Sequence, residues 1–309
     1  MSAAAALLSE VSGDQAPPPV IATTTLETAK FYLRACLHWR SHVRWQRFLA
    51  TPGAMRAAAT ARPQLRWKLQ RDYLQAGLPL RDKLAWLIDH HTWAQQALPA
   101  PLLAAIYTDN GLTLATLALG DHPVRVVLSA CERFAKEGEW VLSLRLGAER
   151  VAAVAFTVHA HGRDRCAHVG CLQGGDAAGT QDLVREATKA LHGLRPKQAV
   201  MLALYGLMAA LSVPTLLTVS NRSHVYQAHW RRRTRVRADY DQFWQELGGQ
   251  AEGDAFRLPT QLTRKPIEAV ASKHRAQARR RHQLEDGLLQ ALARTLGSDA
   301  AVLQVFPAG

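Results

Sequence analysis

The amino-acid sequence predicts an α/β fold of the segregated α+β kind, with a helical N-terminal section packed on a mixed, mostly antiparallel sheet. Three observations predict it. Apolar residues return every three or four positions from Leu26 to about Leu98, the spacing of one helix face. After Pro101 the period falls to two, in short runs rich in β-branched residues. Further on, an apolar run from Ala199 to Leu211 feeds directly into TLLTVSN, the pattern of a buried helix returning the chain to a parallel strand.

Residues 1–25 carry a small apolar patch with no basic residue before it, and Glu10 and Asp14 follow at once. They read as a disordered tail rather than a secretory signal. Residues 26–100 form the helical section, in stretches such as LETAKFYLRACLHWRSHVRWQRFLA and RDKLAWLIDHHTWAQQAL. Its expected packing residues are Leu33, Leu37, Val43 and Phe48 with Trp39 and Trp45. Pro52-Gly53 and Pro79 separate its helices, because proline lacks the amide donor and glycine relaxes the backbone.

Residues 101–300 are the α/β core, expected to form one cooperative unit with the helical section. Strands are predicted at LTLATLAL from Leu112, VRVVLSA from Val124, WVLSLRLG from Trp140, VAAVAFTVH from Val151 and AHVGCLQG from Ala167. Short turn-rich links, GDHP and GAER, make them a meander. A helix from Thr180 to Leu191 stops at Gly193, and Pro196 starts the next, which is apolar all round. Burying several of its Leu and Met side chains, at about 1.5 to 3 kcal/mol each, places it at the centre of the fold. The basic stretch HWRRRTRVR, the amphipathic DYDQFWQELGG, an extended FRLPTQL and a basic helix from about Ile267 to Leu296 complete the chain.

A chain of 309 residues that is 48% hydrophobic can bury a sizeable core without covalent staples. Its four cysteines, Cys36, Cys131, Cys166 and Cys171, lack the dense spacing of a disulfide scaffold and are read as reduced thiols. No apolar run approaches the ~18 to 20 residues of a membrane-crossing helix, so a cytoplasmic protein is expected, with peripheral attachment at the inner membrane as the further option. The formal net charge of +13 favours phosphate-bearing partners, either a small molecule or an anionic lipid surface. No nucleic-acid-binding motif, G-x-S-x-G elbow, Walker loop or H-E-x-x-H pattern occurs.

Six blocks in matching order resemble the VirK/YbjX family: KEGEWVLSL at 136 to 144, VGCLQGG at 169 to 175, REATKALHGLRPKQAVMLAL at 185 to 204, VSNRSHVY at 219 to 226, ADYDQFWQELGG at 238 to 249 and SKHRAQARRRHQLEDGL at 272 to 288. The likeness covers roughly residues 30 to 290. It implies a bacterial protein associated with virulence, resistance to antimicrobial peptides and surface display of outer-membrane proteins, and it implies no particular chemistry.

Four constellations carry chemical potential. In VGCLQGGDAAGT a strand ends in a Gly-rich turn before a helix, a place where backbone amides hold phosphate. With TVSNRSHVY ending the next strand, the layout resembles the GNAT acyltransferases in topology and spacing. That resemblance implies an acyl coenzyme A cofactor, its phosphates on Gln173, Gly174 and Gly175, and Asn221, His224 and Tyr226 at the reacting centre. The GNAT pyrophosphate pattern is not reproduced around Gln173, and the break at Gly193 also departs from it. The same residues equally suit a structural role, with the glycines turning the chain, Asn221 capping a helix near His224 and Tyr226 packed beneath.

Arg185, Glu186, Lys189, His192, Arg195 and Lys197 cluster about a helix-turn-helix junction. Arg185, Lys189, Arg195 and Lys197 are candidate anion contacts, and helix-surface pairing is the competing role. His159, His161, Cys166, His168 and Cys171 share one hairpin without zinc-finger spacing, and no metal is assigned to them. Arg231, Arg232, Arg233, Arg235 and Arg237 near Trp230, with Lys273, Arg275, Arg279, Arg280 and Arg281, form a basic surface suited to anionic lipid or to plain solvation.

Overall fold

The computed structural model of the chain describes residues 33–118, 123–130, 132–175, 180–228, 239–298 and 305–307. Residues 41–309 form one compact unit, separate from residues 1–40. The predicted tail and the stretch HWRRRTRVR lie outside the described residues, as does Cys131.

The helical section contains α1 (Trp39–Leu49), α2 (Ala54–Ala61), a 3-10 helix (Pro63–Gln70), α3 (Leu80–Ala97) and α4 (Ala100–Ile106). Gly53, with φ of 97°, precedes α2, and Pro79 precedes α3, so the predicted breaks fall where the helices part. Helix continues past Pro101 because proline is tolerated in a first turn, where its missing amide has no partner to lose. Of the expected packing residues, Trp45 is fully buried, its indole nitrogen donating to Leu65 O at 2.8 Å. Leu33, Leu37 and Trp39 are 63%, 69% and 58% exposed, contrary to the periodicity.

The core holds β1 (Leu112–Leu117), β2 (Val124–Ser129), β3 (Trp140–Leu146), β4 (Glu149–His161) and β5 (Asp164–Gly174), then α5 (Thr180–Ala190), α6 (Pro196–Ala210) and β6 (Thr215–Val219). After β6 come α7 (Tyr240–Glu246), β7 (Gln250–Glu252), β8 (Ala255–Arg257) and α8 (Arg275–Leu296). The sheet order is β1-β2-β3-β4-β5-β6-β8-β7, and only the β5–β6 pair is parallel. The five predicted strands form the antiparallel meander, and helix α6, with eleven of its fifteen residues buried, packs on β3, β4 and β5. The β7–β8 hairpin was not foreseen, because three residues are too few to show alternation. The final helix begins at Arg275 rather than near Ile267. Pro266 and two 3-10 turns, Ile267–Ala269 and Ser272–His274, precede it.

Two features shape what lies at the C-terminal end of β5. Parallel pairing with β6 runs from Cys166↔Thr215 to Val169↔Thr218 and stops there, while β5 continues to Gly174, so the two strands part. At the same level the segment before β3 presses on the sheet. A Cβ at Gly138 would lie 2.5 Å from Phe156 N, and one at Gly170 would collide with the carbonyl oxygen of Glu137. Both glycines are needed for close backbone approach.

Gly170→Ala should therefore destabilise the fold by about 1 to 3 kcal/mol or more, since the obstructing atom is backbone. Gly287→Ala, in the interior of α8 with open space around it, should stabilise it by about 1 kcal/mol. Urea unfolding of both variants beside the parent checks the pair of opposite signs.

Candidate functional site

The site is built from five consecutive residues, Lys136-Glu137-Gly138-Glu139-Trp140. A turn holds the first of them, with Glu137 N and Gly138 N both donating to Phe134 O at 2.8 and 3.1 Å. The chain then straightens into β3, where Glu139 N donates to Phe156 O at 3.0 Å. Both carboxylates are buried, at 1% and 5% exposure, and each goes to a different set of partners.

Glu139 meets Lys68 Nζ at 2.7 Å and His91 Nε2 at 3.1 Å. Lys68 also donates to Gly138 O at 3.0 Å, and the other ring nitrogen of His91 lies 3.0 Å from Tyr107 Oη. Burial pushes the Glu139 carboxyl up, but Lys68 and His91 outweigh it and hold the group well below the usual carboxylate range. A cavity of about 40 Å³ adjoins this cluster, lined by Lys68, Glu139 and Tyr107 with Arg62 and Arg71, and is large enough for one or two waters.

Glu137 faces the place where β5 and β6 part. Gln173 Nε2 donates to its Oε1 at 3.2 Å, His224 Nε2 lies 4.0 Å from the same oxygen, and the Cys171 thiol bonds to the carboxyl. Here burial wins, raising Glu137 to about 7 against the lowering influence of Cys171, Gln173, Arg133 and Lys136. Burial also lowers His224 to about 4 and pushes the Cys171 thiol well up. Tyr240 stacks on the His224 ring at 5.2 Å, with Tyr226 at 5.4 Å. One short segment crosses both clusters. Tyr73 Oη lies 2.6 Å from Thr157 Oγ1, Leu74 N donates to Lys136 O at 2.6 Å, and Ala76 N donates to Ser223 O at 2.8 Å. Leu74 sits in the left-handed region with φ of 59°, a costly conformation for a buried leucine.

The structure thus brings Gln173 and His224 together on Glu137. Asn221 is committed elsewhere: its Nδ2 donates to Asp239 Oδ1 at 2.8 Å and its Oδ1 accepts from Tyr240 N at 2.8 Å, which fastens the first turn of α7. Gly174 pairs with Ala152 and does not adopt positive φ, so it makes no left-handed turn. Arg185 and Lys189 lie in a groove against α8, whereas Arg195 is exposed and Lys197 sits 6.0 Å from the Phe243 ring.

In the histidine-rich hairpin, Cys166 Sγ is 3.4 Å from His159 Nε2, which is 3.5 Å from His168 Nδ1, and Trp86 stacks on His159 at 3.9 Å. Among the described residues no three His, Cys, Asp or Glu side chains are placed to hold a metal ion. Cys171 belongs to the Glu137 cluster instead. Sequence reasoning missed Glu137, Glu139 and Lys68. The available signal was two carboxylates flanking a glycine at the start of WVLSLRL, a strand buried along nearly its whole length.

Residues 22–294 match the family described as "Protein of unknown function (DUF535)", and the chain belongs to it; this is the VirK/YbjX family that its sequence blocks resemble. It is 31% identical over 270 residues to "Uncharacterized protein YbjX" of Escherichia coli, covering 85% of this chain and 82% of that one. An uncharacterised Haemophilus influenzae protein is 33% identical over 120 residues, 38% of this chain and 40% of its own. "Membrane protein LapB" of Mannheimia haemolytica is 24% identical over 195 residues, 62% of this chain and 82% of its own. No solved structure matches.

Lys68→Met leaves the Glu139 charge buried with one partner fewer and should cost about 3 to 5 kcal/mol, part of which Glu139→Gln in the same chain restores; denaturant midpoints of the two variants check this. Acid has a second, separate effect. His159 at about 4, His168 at about 3 and His224 at about 4 are neutral in the fold but titrate near 6.5 when unfolded. The unfolded chain then binds more protons, so stability falls as pH drops below 6.5, by about 1.4 kcal/mol per unit for each imidazole. Glu137, at about 7 folded against 4.5 unfolded, takes its proton first in the fold and opposes that loss between pH 7 and 4.5. Glu137→Gln should steepen the acid loss by one imidazole's worth, read from unfolding free energies between pH 7 and 5.

Proposed function

We propose that the chain is a GNAT-like acyltransferase, moving an acyl group from a coenzyme A thioester to an amine or hydroxyl acceptor in support of the cell envelope and its resistance to stress. The observation that carries the reading is Glu137, a buried carboxylate with a pKa of about 7 at the point where parallel strands β5 and β6 part. Ligands of open sheets bind at the carboxyl ends of strands where the connection pattern changes, and here an antiparallel meander gives way to a parallel pair. A helical connection between two parallel strands, followed by a terminal hairpin, supports the topological likeness.

In this reading Glu137 is the general base. A carboxylate near neutrality is half ionised at working pH and basic enough to take a proton in the transition state. Glu137 removes the proton from the acceptor's nitrogen or oxygen as that atom bonds to the thioester carbon. The carbon–sulfur bond then breaks, and Tyr226 gives a proton to the departing sulfur; exchange with solvent restores both groups. Gln173 holds the carboxylate in place with His224 Nε2 4.0 Å away, Gly174 and Gly175 line the strand end, and Asn221 positions Tyr240 over His224 through α7.

A non-enzymatic reading, attachment to anionic lipid at the inner membrane, draws on the net charge of +13 and on a relative named a membrane protein. Among the described residues no helix is long and apolar enough to cross a membrane, so such attachment would be peripheral.

Acyl coenzyme A species should raise the melting temperature in a concentration-dependent way. Glu137→Gln should keep that rise while losing about 10²- to 10⁴-fold in turnover, and the parent's kcat/KM should climb with pH through about 7 as the carboxylate ionises. A flat melting temperature across the panel at millimolar ligand would sink the acyltransferase and leave the lipid-binding reading.

A further inference from the structure

Helices α5 and α8 come from distant parts of the chain and leave a groove of about 680 Å³ between them, a volume typical of sites for small organic ligands. Its lining is strongly cationic: Arg185 and Lys189 from α5, Lys273 just before α8 and Arg280 within it, with His192 at one end. Arg185 is paired to Asp182 at 3.0 Å. Among the described residues no carboxylate lies within ion-pair distance of Lys189, Lys273 or Arg280. Three like charges gathered on one groove without counter-charge repel one another, and the fold gains nothing from that placement.

The backbone at the end of the groove is unusual as well. His192 and Gly193 are consecutive left-handed residues, with φ of 52° and 90°, and only the glycine adopts that region without cost. A Cβ at Gly193 would stand 3.0 Å from Gln277 Nε2, the end of a flexible side chain on α8 that lines the same groove.

We propose that this groove is a binding site for a phosphate ester or diphosphate. Oxyanions of that class carry the two or more negative charges needed to balance the uncompensated cations, and arginine forks grip them through two parallel hydrogen bonds. The site requires no thioester and stands or falls separately from the acyl-transfer reading. Its phosphate could belong to a soluble nucleotide, the phosphorylated end of coenzyme A included, or to a lipid headgroup. The recognition chemistry is the same.

The test is calorimetric titration with adenosine 3′,5′-bisphosphate and with inorganic pyrophosphate, beside sedimentation with vesicles of phosphatidylglycerol or phosphatidylcholine. Saturable, salt-weakened binding is expected to a soluble probe, to phosphatidylglycerol vesicles alone, or to both, and these three patterns assign the phosphate to a nucleotide, to a lipid or to either. Lys189→Glu with Arg280→Glu should weaken it at least about tenfold, and the neutral pair Lys189→Gln with Arg280→Gln should weaken it in the same direction if the charge reversal impairs folding. Arg47→Glu with Arg294→Glu, an equal change of charge on exposed residues outside the groove, should leave it unchanged. No saturation with any probe at millimolar phosphate, or equal loss in the Arg47 and Arg294 control, overturns the proposal.

Discussion

The contact between Lys68 and Glu139 joins the helical section to the sheet at a depth where both charges are buried. Such a pair is tolerated because each group has a further partner: the ammonium also bonds Gly138 O, the carboxylate also meets His91 Nε2 at 3.1 Å, and the other ring nitrogen of His91 lies 3.0 Å from Tyr107 Oη. Every one of these partners comes from a different element, the 3-10 helix, α3, the end of α4 and the approach to β3. An apolar replacement could supply as much stability. It could not define so narrowly where the helices sit on the sheet.

That placement decides what Glu137 becomes. Two residues away along the same strand approach, its hydrogen-bonding neighbours are a thiol and an amide, with a neutral imidazole 4.0 Å off, and these together with Arg133 and Lys136 do not offset its burial. The two carboxylates share a sequence context and differ in protonation because their surroundings differ, one answered by charge and the other by burial. Gly138 between them makes the division possible, since any side chain there would meet the Phe156 backbone and lift the segment off β4.

Much of the fold was legible because its signals are local. Alternation marked the five meander strands, an all-round apolar face marked α6, and Gly53, Pro79 and Pro196 marked helix boundaries. The exposed Leu33, Leu37 and Trp39 show the limit, since periodicity tells which face is apolar but not whether anything covers it. The site was legible only in part. Gln173 and His224 were reachable because one lies in the last residues of a strand and the other shortly after one, where function concentrates in open sheets. Lys68 and Glu139 were not, because a lysine in a run of arginines and a glutamate beside a glycine look like surface until the long-range pairing is known. The partners of Asn221 were out of reach for a similar reason: Asp239 and Tyr240 lie across the stretch 229–238 in sequence.

The buried pair also imposes an order in time. Lys68 and Gly138 are 70 residues apart, so the bond between them closes a long loop whose entropic cost must be met before any contact rewards it. The 3-10 helix can form early from its own neighbours, but it cannot surrender its ammonium to the interior until β3 and β4 have paired and presented Glu139. Assembly of the meander is therefore the gate through which the helical section must wait. A chain emerging from the ribosome carries that section first and its anchor second, and during this interval Trp45, Leu65 and Leu69 lack the rest of the core they join.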